Sequence, residues 1–415
     1  MRAEIVAVGS ELLTPGRVET NALFITEHLL RAGVEVIART VVADDLEVLA
    51  STLKTALGRA EFVIATGGLG PTADDLTREA AGRALARPLH RDPVLLDELK
   101  ARFARFKRLM ADVNAQQADL IEGASPLRNP NGTAPGQSVE VSKGHLLFLL
   151  PGPPREMEPM FLAQVLPQSA EVAGPSSLRT RILKIASMGE SDVEQIVAPI
   201  YTTYENPRTT ILGGAGEVEL RFLASGRTVE ESEALLEDLA ARIREKLGTR
   251  IYSEDGRDLP EVVAARLTER GLTLALAESC TGGKLASLLT EIPGASSFFL
   301  LGAVTYGNDA KHDLASVDAA LIAAKGAVSE EVARAMAEGI RSRAGASIGV
   351  GITGIAGPTG GSPEKPLGLV YLALSGAAGS RVRRAVFPGD RNRVQLQASL
   401  AALDMIRRGL EGLDP

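Results

Sequence analysis

The sequence predicts an α/β protein: two α/β domains with mainly parallel, helix-covered sheets, joined by a small α+β domain. The chain has 415 residues, more than one hydrophobic core usually serves. Short β-type runs alternate with amphipathic helical runs over residues 1–168 and again over 256–415, a rhythm typical of βαβ units. Over residues 169–255 the pattern changes to two strand-like and two helical runs. We therefore expect three domains with these boundaries.

In the first domain the predicted strands are "RAEIVAVG", "EVIARTVVAD", "EFVIATGG" and "HLLFLLPGPP". Between them lie the predicted helices "TNALFITEHLLRAG", which ends at Gly33, and "LEVLASTLKTALGRA". Gly- and Pro-rich loops follow several of these strands. Open α/β sheets bind ligands at the carboxyl ends of their strands, so these loops are where we look for a site.

In the middle domain the strands "LRTRILKIASMG" and "EVELRFLASG" flank the helices "ESDVEQIVAPIYTTY" and "VEESEALLEDLAARIREKLG". In the last domain helix and strand alternate again. The predicted strands there are "LTLALAES", "FFLLGAVTYG", "ASIGVGITG", "GLVYLALSG" and "RVRRAVFPG". The predicted helices are "LPEVVAARLTERG", "GKLASLLTEI", "SEEVARAMAEGIRSRAG" and "RNRVQLQASLAALDMIRRGL".

Composition limits the classes of function. The formal net charge of -7 and an aromatic content of 4% argue against a general nucleic-acid or membrane-surface binder. The single cysteine excludes an internal disulfide, and the four scattered histidines form no short-range metal-ligand pair. The sequence shows no basic-then-apolar leader and no apolar run near the length of about 18 residues that a membrane span needs. A cytoplasmic protein is expected.

The stretch "LALAESCTGGKLASLLTEI" contains the first candidate site. An apolar strand pattern breaks at Ser279, Cys280 and Thr281, two glycines follow, and a helical pattern begins. Free amides at a helix start, with hydroxyls beside them, suit an anion or the oxyanion of a tetrahedral intermediate. Ser and Thr are also ordinary helix N-caps. From this segment alone, a functional role and a capping role are both open.

Three further segments place polar residues just beyond predicted strand ends. Tyr306 and Lys311 lie in "GAVTYGNDAKHDL", "GITGIAGPTGGSPEKPLG" is a Gly-rich loop, and "FPGDRNR" supplies Asp390, Arg391 and Arg393. A nucleophilic serine needs a neighbouring base, which a desolvated lysine can supply, alone or through a tyrosine. Arginine suits a phosphate. The set predicts hydrolysis of a phosphate-bearing small molecule.

The segments "AESCTGG", "VTYGNDAK", "GITGIAGP" and "FPGDR" resemble the signature segments of the CinA C-terminal domain family. The resemblance covers residues 256–415 and implies a nicotinamide-nucleotide amidase. Such an enzyme hydrolyses nicotinamide mononucleotide to nicotinate mononucleotide and ammonia without a metal. The resemblance implies Ser279 as nucleophile, activated by Tyr306 and Lys311. Cys280 is expected to be a packed neighbour, with a thiolate nucleophile as the alternative. We place the following residues in the substrate site: Thr281, Gly282, Gly283, Thr353, Gly354 and Arg393.

The first domain has a second set of candidate loops. "VGSELLTPGRVETN" brings Ser10 and Glu11 to a strand end, and "LPGPPREM" supplies Glu156. In "ATGGLGPTADDLTREA" a glycine-rich loop precedes two aspartates and a helix start, an arrangement that suits phosphates. Asp75 and Glu156 suit the ligation of Mg²⁺ between phosphates. Alternatively, one of the two suits the role of general base. The alternative is that Asp75 and Thr77 only cap the helix. The other candidates in this loop are Gly67, Gly68, Gly70 and Asp74.

Residues 1–168 resemble the MoaB/MogA-like molybdopterin-binding domain, because "TGGLGPTADDLTREA" matches its Gly-Gly…Asp-x-Thr-x-Glu-Ala pattern. The resemblance implies functional aspartates at Asp75 and, in "VVADD", at Asp44. Joined to an amidase domain, the arrangement is similar to the full-length CinA family. That similarity implies that the first domain hydrolyses ADP-ribose with a divalent metal, Mg²⁺ or a similar ion. Carboxylates with such an ion can neutralise a pyrophosphate and activate water.

The middle domain, with its "ASMGESDVEQ" turn, resembles the KH-like linker domain of the same family. No GXXG nucleotide clamp joins its helices, and it has few aromatic residues, so direct nucleic-acid binding is not expected. A spacer or dimerisation role, and with it a homodimer, is expected instead. Two other functions stay open: a molybdopterin-binding protein, and a partner-binding protein in competence or the DNA-damage response.

Overall fold

The computed structural model describes residues 1–105, 109–173 and 177–413. It confirms the predicted fold class, with two α/β domains and a small KH-like α+β domain between them in the chain. Spatial contacts group the chain into two compact units. One comprises Met1–Arg179 with Gly226–Ser232, and the other comprises Thr180–Ser225 with Glu233–Pro415.

The first domain is built on a six-stranded sheet. Its elements include eight strands: β1 (Arg2–Val8), β2 (Glu35–Val42), β3 (Phe62–Thr66), β4 (Leu89–Arg91), β5 (Asp119–Ile121), β6 (Ala124–Leu127), β7 (Gly136–Ser142) and β8 (His145–Leu150). The order in the sheet is β2-β1-β3-β8-β7-β6, and β4 pairs with β5 in a separate ribbon. β1, β2, β3 and β8 are parallel, whereas β7 runs antiparallel to its two neighbours.

Helices cover both faces of this sheet: α1 (Asn21–Arg31), α2 (Leu46–Leu57), α3 (Thr77–Leu85), α4 (Pro93–Arg105), α5 (Pro154–Met160) and α6 (Leu166–Ala173). Short 3-10 turns occupy Ser10–Leu13 and Asp112–Ala118, and a π-helical turn occupies Phe161–Val165. Every residue of β3 is buried because apolar clusters lie on both faces of the strand. This double burial explains why its sequence is continuously apolar.

The middle domain has four strands and two helices: β9 (Leu178–Ala186), β10 (Arg208–Gly213), β11 (Glu217–Ser225), β12 (Ile251–Ser253), α7 (Glu190–Tyr201) and α8 (Val229–Leu247). The sheet order is β10-β11-β9-β12. Buried residues alternate along β11, including Leu220 and Phe222, so one face of the sheet packs on the apolar cluster of this domain.

The last domain has a five-stranded sheet: β13 (Leu274–Glu278), β14 (Phe299–Val304), β15 (Ile348–Gly354), β16 (Leu369–Gly376) and β17 (Gly379–Val386). Its helices are α9 (Leu259–Glu269), α10 (Lys284–Thr290), α11 (Asn308–Ala315), α12 (Ala319–Lys325), α13 (Glu330–Ala344) and α14 (Arg391–Leu410), with a 3-10 turn at Ala295–Ser297. The order is β14-β13-β15-β16-β17, and β13 is parallel to both its neighbours. β16 is antiparallel to β15 and β17. The turn between β16 and β17 is too short for a parallel crossover.

Because β13, β14 and β15 are parallel, their carboxyl ends lie at one edge of the sheet. The loops that begin at Ser279, Thr305 and Ile355 therefore meet there, which places the candidate residues of this domain together. No helix in the described part of the chain is long and apolar enough to cross a membrane. The expected homodimer and the expected cytoplasmic location stay predictions.

Candidate functional site

The Ser279 elbow directly follows β13, the central strand among the three parallel ones. Its amide donates to the carbonyl of Ile352 on β15 at 2.9 Å, so the nucleophile candidate is tied to the sheet. Gly282 and Gly283 follow with φ of 64° and 96°, a backbone conformation that glycine adopts without strain. Ser279 and Thr281 are 7% and 2% exposed. The elbow is therefore a rigid and largely dry site.

Lys311 lies beside Ser279. Its Nζ atom is 3.1 Å from Ser279 Oγ, 2.9 Å from the carbonyl oxygen of Thr305 and 3.1 Å from that of Tyr306. The lysine is 1% exposed, and burial lowers its pKa from the ordinary value of 10.5. A neutral amine has two N–H donors and one lone pair. In that form, donation to the two carbonyls leaves the lone pair free to face the serine hydroxyl.

The amides of Gly282 and Gly283 are not available to an anion, contrary to the sequence-based expectation. The Gly282 amide donates to the carbonyl of Ser279 at 3.1 Å. The carboxylate of Glu278 folds back over the start of α10 and accepts from the amides of Gly283, Leu285 and Ala286 at 3.2, 3.1 and 2.8 Å. A buried carboxylate at a helix start satisfies amides that would otherwise be unpaired.

The main-chain amides of Cys280 and Thr281, earlier in the elbow, differ from those of the glycines in their hydrogen bonding. Within the described residues, neither the amide of Cys280 nor that of Thr281 donates to another residue. The buried Thr281 Oγ1 likewise has no hydrogen-bond partner there. Unpaired buried donors beside a nucleophile are what an oxyanion hole requires. The structure thus moves the candidate oxyanion donors from the glycines to Cys280 and Thr281.

Tyr306 contacts Lys311 through its main-chain carbonyl, and its phenol points elsewhere. The phenol oxygen accepts from Arg391 Nη2 at 2.5 Å, and Arg391 Nη1 donates to the carbonyl of Gly357 at 2.8 Å. The tyrosine side chain is largely exposed. Among the described residues, Lys311 is the one whose side chain hydrogen-bonds with the serine hydroxyl, and the Tyr306 phenol contacts an arginine.

Arg393 and Thr353, two of the predicted substrate contacts, are placed differently. Arg393 is exposed, and its amide donates to the N-cap Asp390 at 2.8 Å. Thr353 is buried at the end of β15, where its hydroxyl donates to the carbonyl of Ala327 at 2.7 Å. The adjacent Gly354 leaves no room for a side chain against the carbonyl of Leu369. Their role in substrate binding stays a prediction.

Cys280 is 5% exposed, and burial raises its pKa to about 12. A thiol with this pKa is protonated near neutral pH and is a poor nucleophile. Its carbonyl accepts from Gln395 Nε2 at 2.8 Å, which fixes the peptide that carries the Thr281 amide. Arg391 is one of the sequence-based candidates in "FPGDRNR", whereas Glu278 and Gln395 are not, and no motif singles them out.

Most of the candidate residues of the first domain line one cleft of about 610 Å³; Ser10 and the buried Thr77 are not among its lining residues. Reciprocal hydrogen bonds fix its rim: the Ser10 amide donates to Asp44 Oδ2 at 2.7 Å and the Asp44 amide donates to Ser10 Oγ at 3.0 Å. The predicted residues that line the cleft are Glu11, Asp44, Gly67, Gly68, Gly70, Asp74, Asp75 and Glu156.

Asp75 and Thr77 do not cap α3, which contradicts the capping alternative. Asp75 Oδ2 accepts from the amide and hydroxyl of Thr72 at 2.8 and 2.5 Å, closing a turn of the loop. The buried Thr77 hydroxyl donates to the carbonyl of Gly67 at 2.8 Å. Arg78, which sequence reasoning missed, donates to the carbonyls of Leu69 and Gly70, each at 2.8 Å. These bonds hold the glycine-rich loop in one conformation.

Glu156 lies in the first turn of α5 and also lines the cleft. Its Oε2 accepts from Asn129 Nδ2 at 2.8 Å, and it packs so closely on Gly132 that a Cβ there would overlap the carboxylate. Carboxylate oxygens such as those of Asp75 and Glu156 are the ligands that Mg²⁺ prefers. In the described ranges no group of three or more His, Cys, Asp or Glu could hold a metal ion. A metal here would depend on substrate phosphates and water for its other ligands.

Comparison with known proteins covers almost the whole chain. Residues 4–171 match the family model described as "Probable molybdopterin binding domain", residues 180–253 match "Damage-inducible protein CinA KH domain", and residues 256–410 match "CinA C-terminal domain". A CinA-like protein of Solibacter usitatus is 46% identical over 412 residues, which are 99% of each chain. A CinA-like protein of Acidobacterium capsulatum is 46% identical over 413 residues, 99% of this chain and 100% of the relative.

Among solved structures, the competence/damage inducible protein CihA from Agrobacterium tumefaciens is 41% identical. The match covers 37% of this chain and 93% of that protein, with a TM-score of 0.36.

Proposed function

The chain belongs to the CinA family, and on that premise we propose that it is a bifunctional pyridine-nucleotide hydrolase. Its last domain deamidates nicotinamide mononucleotide, and its first domain hydrolyses ADP-ribose with a divalent metal. The observation that supports the amidase most strongly is the 3.1 Å approach of Lys311 Nζ to Ser279 Oγ in a buried site. A serine and a desolvated lysine at this distance form a nucleophile with its general base.

In the proposed reaction, neutral Lys311 accepts the proton of the Ser279 hydroxyl as Oγ attacks the carboxamide carbon. The amides of Cys280 and Thr281, with the Thr281 hydroxyl, stabilise the resulting oxyanion. The Lys311 ammonium then gives this proton to the amide nitrogen as the C–N bond breaks, and the nitrogen leaves as ammonia. Water, deprotonated by the same lysine, hydrolyses the nicotinoyl ester. This releases nicotinate mononucleotide and regenerates the serine.

The phosphate of the substrate has a candidate partner in Arg391. Its guanidinium is held by the carbonyl of Gly357 and the phenol of Tyr306, so it is oriented before a ligand binds. Guanidinium groups bind phosphate through paired N–H donors. Arg393, two residues later and exposed, adds positive charge at the same helix start.

The experiment that tests the amidase is a product assay on the full-length protein with nicotinamide mononucleotide and, separately, free nicotinamide. We expect ammonia and nicotinate mononucleotide in a 1:1 ratio from the nucleotide, with and without EDTA, and nothing from free nicotinamide. Ser279→Ala should abolish release, whereas Ser287→Ala, an exposed serine on the following helix, should not. Full activity in Ser279→Ala, or loss of activity in EDTA, would reject this mechanism.

For the first domain, the supporting observation is a cleft that combines a fixed glycine-rich loop with carboxylates from that loop and from the first turn of α5. Asp75 and Glu156 would hold the divalent metal, which supplies charge neutralisation of the pyrophosphate when bound. Arg17 also lines the cleft and adds positive charge for the phosphates. Asp44, fixed by Ser10, is positioned to orient a water molecule or a ribose hydroxyl.

This second activity is tested with ADP-ribose and Mg²⁺, by following the formation of AMP and ribose 5-phosphate. Asp75→Asn should lose ADP-ribose hydrolysis and keep nicotinamide mononucleotide deamidation.

The matching molybdopterin-binding family model favours a second candidate for this cleft. Binding of molybdopterin together with no turnover of ADP-ribose would favour that candidate. The name of the KH family model suggests a third candidate, a partner-binding role in the damage response. Association with a partner protein that survives both Ser279→Ala and Asp75→Ala would support it.

A further inference from the structure

Gln395, on the last helix, is bonded to the elbow that carries Ser279. Its Nε2 donates to the carbonyl of Cys280 at 2.8 Å. The peptide bond between Cys280 and Thr281 is trans, and in a trans peptide the C=O and N–H groups point in opposite directions. The bond from Gln395 therefore sets the direction of the Thr281 amide, one of the two candidate oxyanion donors. A donor on the carbonyl also polarises the peptide, which strengthens its N–H group as a donor.

Arg391 lies one turn before Gln395 on α14. Residues four apart on a helix share one face, so both side chains leave the helix on the same side. Arg391 donates to the carbonyl of Gly357, in the loop after β15, and to the phenol of Tyr306, in the loop after β14. Gln395 donates to the loop after β13. One helix face is therefore bonded to all three loops that meet at the strand ends.

The first turn of α14 is the exposed part of this face. Residues 391–393 are exposed, and burial begins at Val394, which packs in the apolar cluster of the domain. Helix ends fray because their terminal groups lack partners within the helix. Gln395 lies where the exposed turn joins the buried part of the helix. An anion held by Arg391 would therefore restrain the turn immediately before Gln395.

The phosphate of a nucleotide substrate takes no part in breaking the carboxamide bond, but its binding can still accelerate that step. Enzymes use the binding of remote, non-reacting groups to orient the groups at the reacting centre, and binding used in this way raises kcat. Arg391 is the candidate partner of the phosphate, and Gln395 holds the oxyanion peptide from the next turn of the same helix.

We propose that Gln395 is a positioning residue that couples recognition of the substrate phosphate to the oxyanion site. The coupling runs from Arg391 along one turn of α14 to Gln395, and from there to the peptide between Cys280 and Thr281. Preference for a nucleotide over its nucleoside is then expressed in kcat as well as in KM. The proposal rests on the proposed amidase function, and the assay that tests it distinguishes failure of the coupling from failure of the amidase.

The test uses nicotinamide riboside, which is the proposed substrate without its phosphate, and phosphite dianion as a separate anion. Phosphite should raise kcat/KM for riboside deamidation at least about tenfold in the wild type, because it supplies the remote binding that the riboside lacks. Potassium chloride at the same ionic strength controls for screening of charges. Gln395→Met keeps the length of the side chain and removes the donor. Phosphite should not accelerate this variant, nor Arg391→Ala.

Gln397→Met is the matched control. Gln397 lies two residues later on α14, and its Nε2 donates to the carbonyl of Pro388 at 2.9 Å, which is the same kind of bond made outside the elbow. This variant should keep the acceleration by phosphite.

With nicotinamide mononucleotide, Gln395→Met should lower kcat by about ten- to a hundredfold, because the oxyanion donor stays and only its direction is lost, whereas removal of such a donor costs about 10²–10³-fold. Its KM should stay within about threefold of the wild type. Gln395→Glu, whose ionised side chain has no donor, should behave in the same way.

Melting temperatures of the ligand-free proteins show whether each variant folds. Acceleration by phosphite that persists in Gln395→Met and Gln395→Glu would overturn the coupling and leave the amidase intact. So would the absence of acceleration in a wild type that deamidates nicotinamide mononucleotide. Loss of acceleration in Gln397→Met as well would assign the effect to the helix as a whole and reject the role of Gln395. No deamidation of the nucleotide by the wild type would reject the amidase and the coupling together.

Discussion

Lys311 Nζ lies 3.1 Å from Ser279 Oγ, and its other two contacts are main-chain carbonyls. No carboxylate is among these partners. Burial without a counter-charge favours the neutral amine, which is the form that can accept a proton. The pair therefore has the geometry of a nucleophile and its base, and burial shifts the lysine towards the neutral form that a base requires.

The first prediction concerns the charge of that lysine. Lys311→Met keeps most of the side-chain volume and removes the amine, so nicotinamide mononucleotide deamidation should fall by about 10²–10⁴-fold, the usual contribution of a general base. Lys325→Met, at an exposed lysine on α12, is the control and should retain full activity. Steady-state kinetics of both variants measure the change in deamidation rate. Activity within threefold of wild type in Lys311→Met would remove the lysine from the reaction.

The second prediction is a pH dependence. Burial lowers the pKa of Lys311 from 10.5, so kcat/KM should rise with pH as the amine loses its proton and level off above the lowered pKa. Between the lowered pKa and 10.5, the unfolded chain holds a proton on this lysine that the folded chain has released. The free energy of unfolding should therefore rise with pH across that window.

Denaturant unfolding of wild type and Lys311→Met at several pH values measures that stability contribution. The methionine variant should lose the part of the pH dependence that belongs to this lysine. Identical slopes for the two proteins would show that the amine does not change its protonation on folding.

The third prediction separates the serine from the adjacent cysteine. Burial raises the pKa of Cys280 to about 12, so the thiol should be protonated at neutral pH and unreactive towards iodoacetamide. Deamidation should survive both the reagent and the substitution Cys280→Ala. Rapid inactivation by iodoacetamide, with protection by nicotinamide mononucleotide, would restore the thiol as the nucleophile.

The fourth prediction compares two arginines at the start of α14. Both arginines are exposed, but the guanidinium of Arg391 donates to the phenol of Tyr306 and to a loop carbonyl, whereas within the described residues only the main-chain amide of Arg393 donates a hydrogen bond. Arg391→Ala should raise KM for the nucleotide more than Arg393→Ala. Tyr306→Phe should give a smaller increase in KM with little change in kcat, since the phenol touches Arg391. A large fall in kcat for Tyr306→Phe would instead assign the phenol to proton transfer.

The fifth prediction concerns the first domain. A Cβ at Gly132 would overlap the carboxylate of Glu156, so Gly132→Ala should displace that side chain. Displacement of a positioned group by about 1 Å can cost about a hundredfold in rate. ADP-ribose hydrolysis should fall by this order, while deamidation in the other domain is unchanged. Gly58→Ala, at the end of α2 where the added methyl group has room, is the control for both activities. Unchanged hydrolysis in Gly132→Ala would separate Glu156 from the reaction.

Sequence reasoning predicted the residues that lie at strand ends. Ser279 and the Lys311 region follow parallel strands, and the carboxyl ends of parallel strands share one edge, so their meeting follows from the pattern. Asp44, Asp75 and Glu156 came together in one cleft for the same reason. The alternation of strands and helices was sufficient to predict which candidate residues lie close together.

The sequence could not show the directions in which individual side chains turn. Glu278 ends a buried strand, and nothing in its local sequence indicates that its carboxylate folds back onto the amides of Gly283 and Leu285. Tyr306 lies in the expected loop, yet its phenol turns towards Arg391.

The central claim is that Ser279 forms a covalent ester with the substrate, and trapping that ester tests it most directly. Wild-type protein would be mixed with nicotinamide mononucleotide, quenched in acid on the millisecond scale and digested for mass spectrometry. The account predicts the mass of the nicotinate mononucleotide acyl group on the peptide that contains Ser279, and no adduct in Ser279→Ala. An adduct on any other residue, or ammonia release by Ser279→Ala at the wild-type rate, would contradict it.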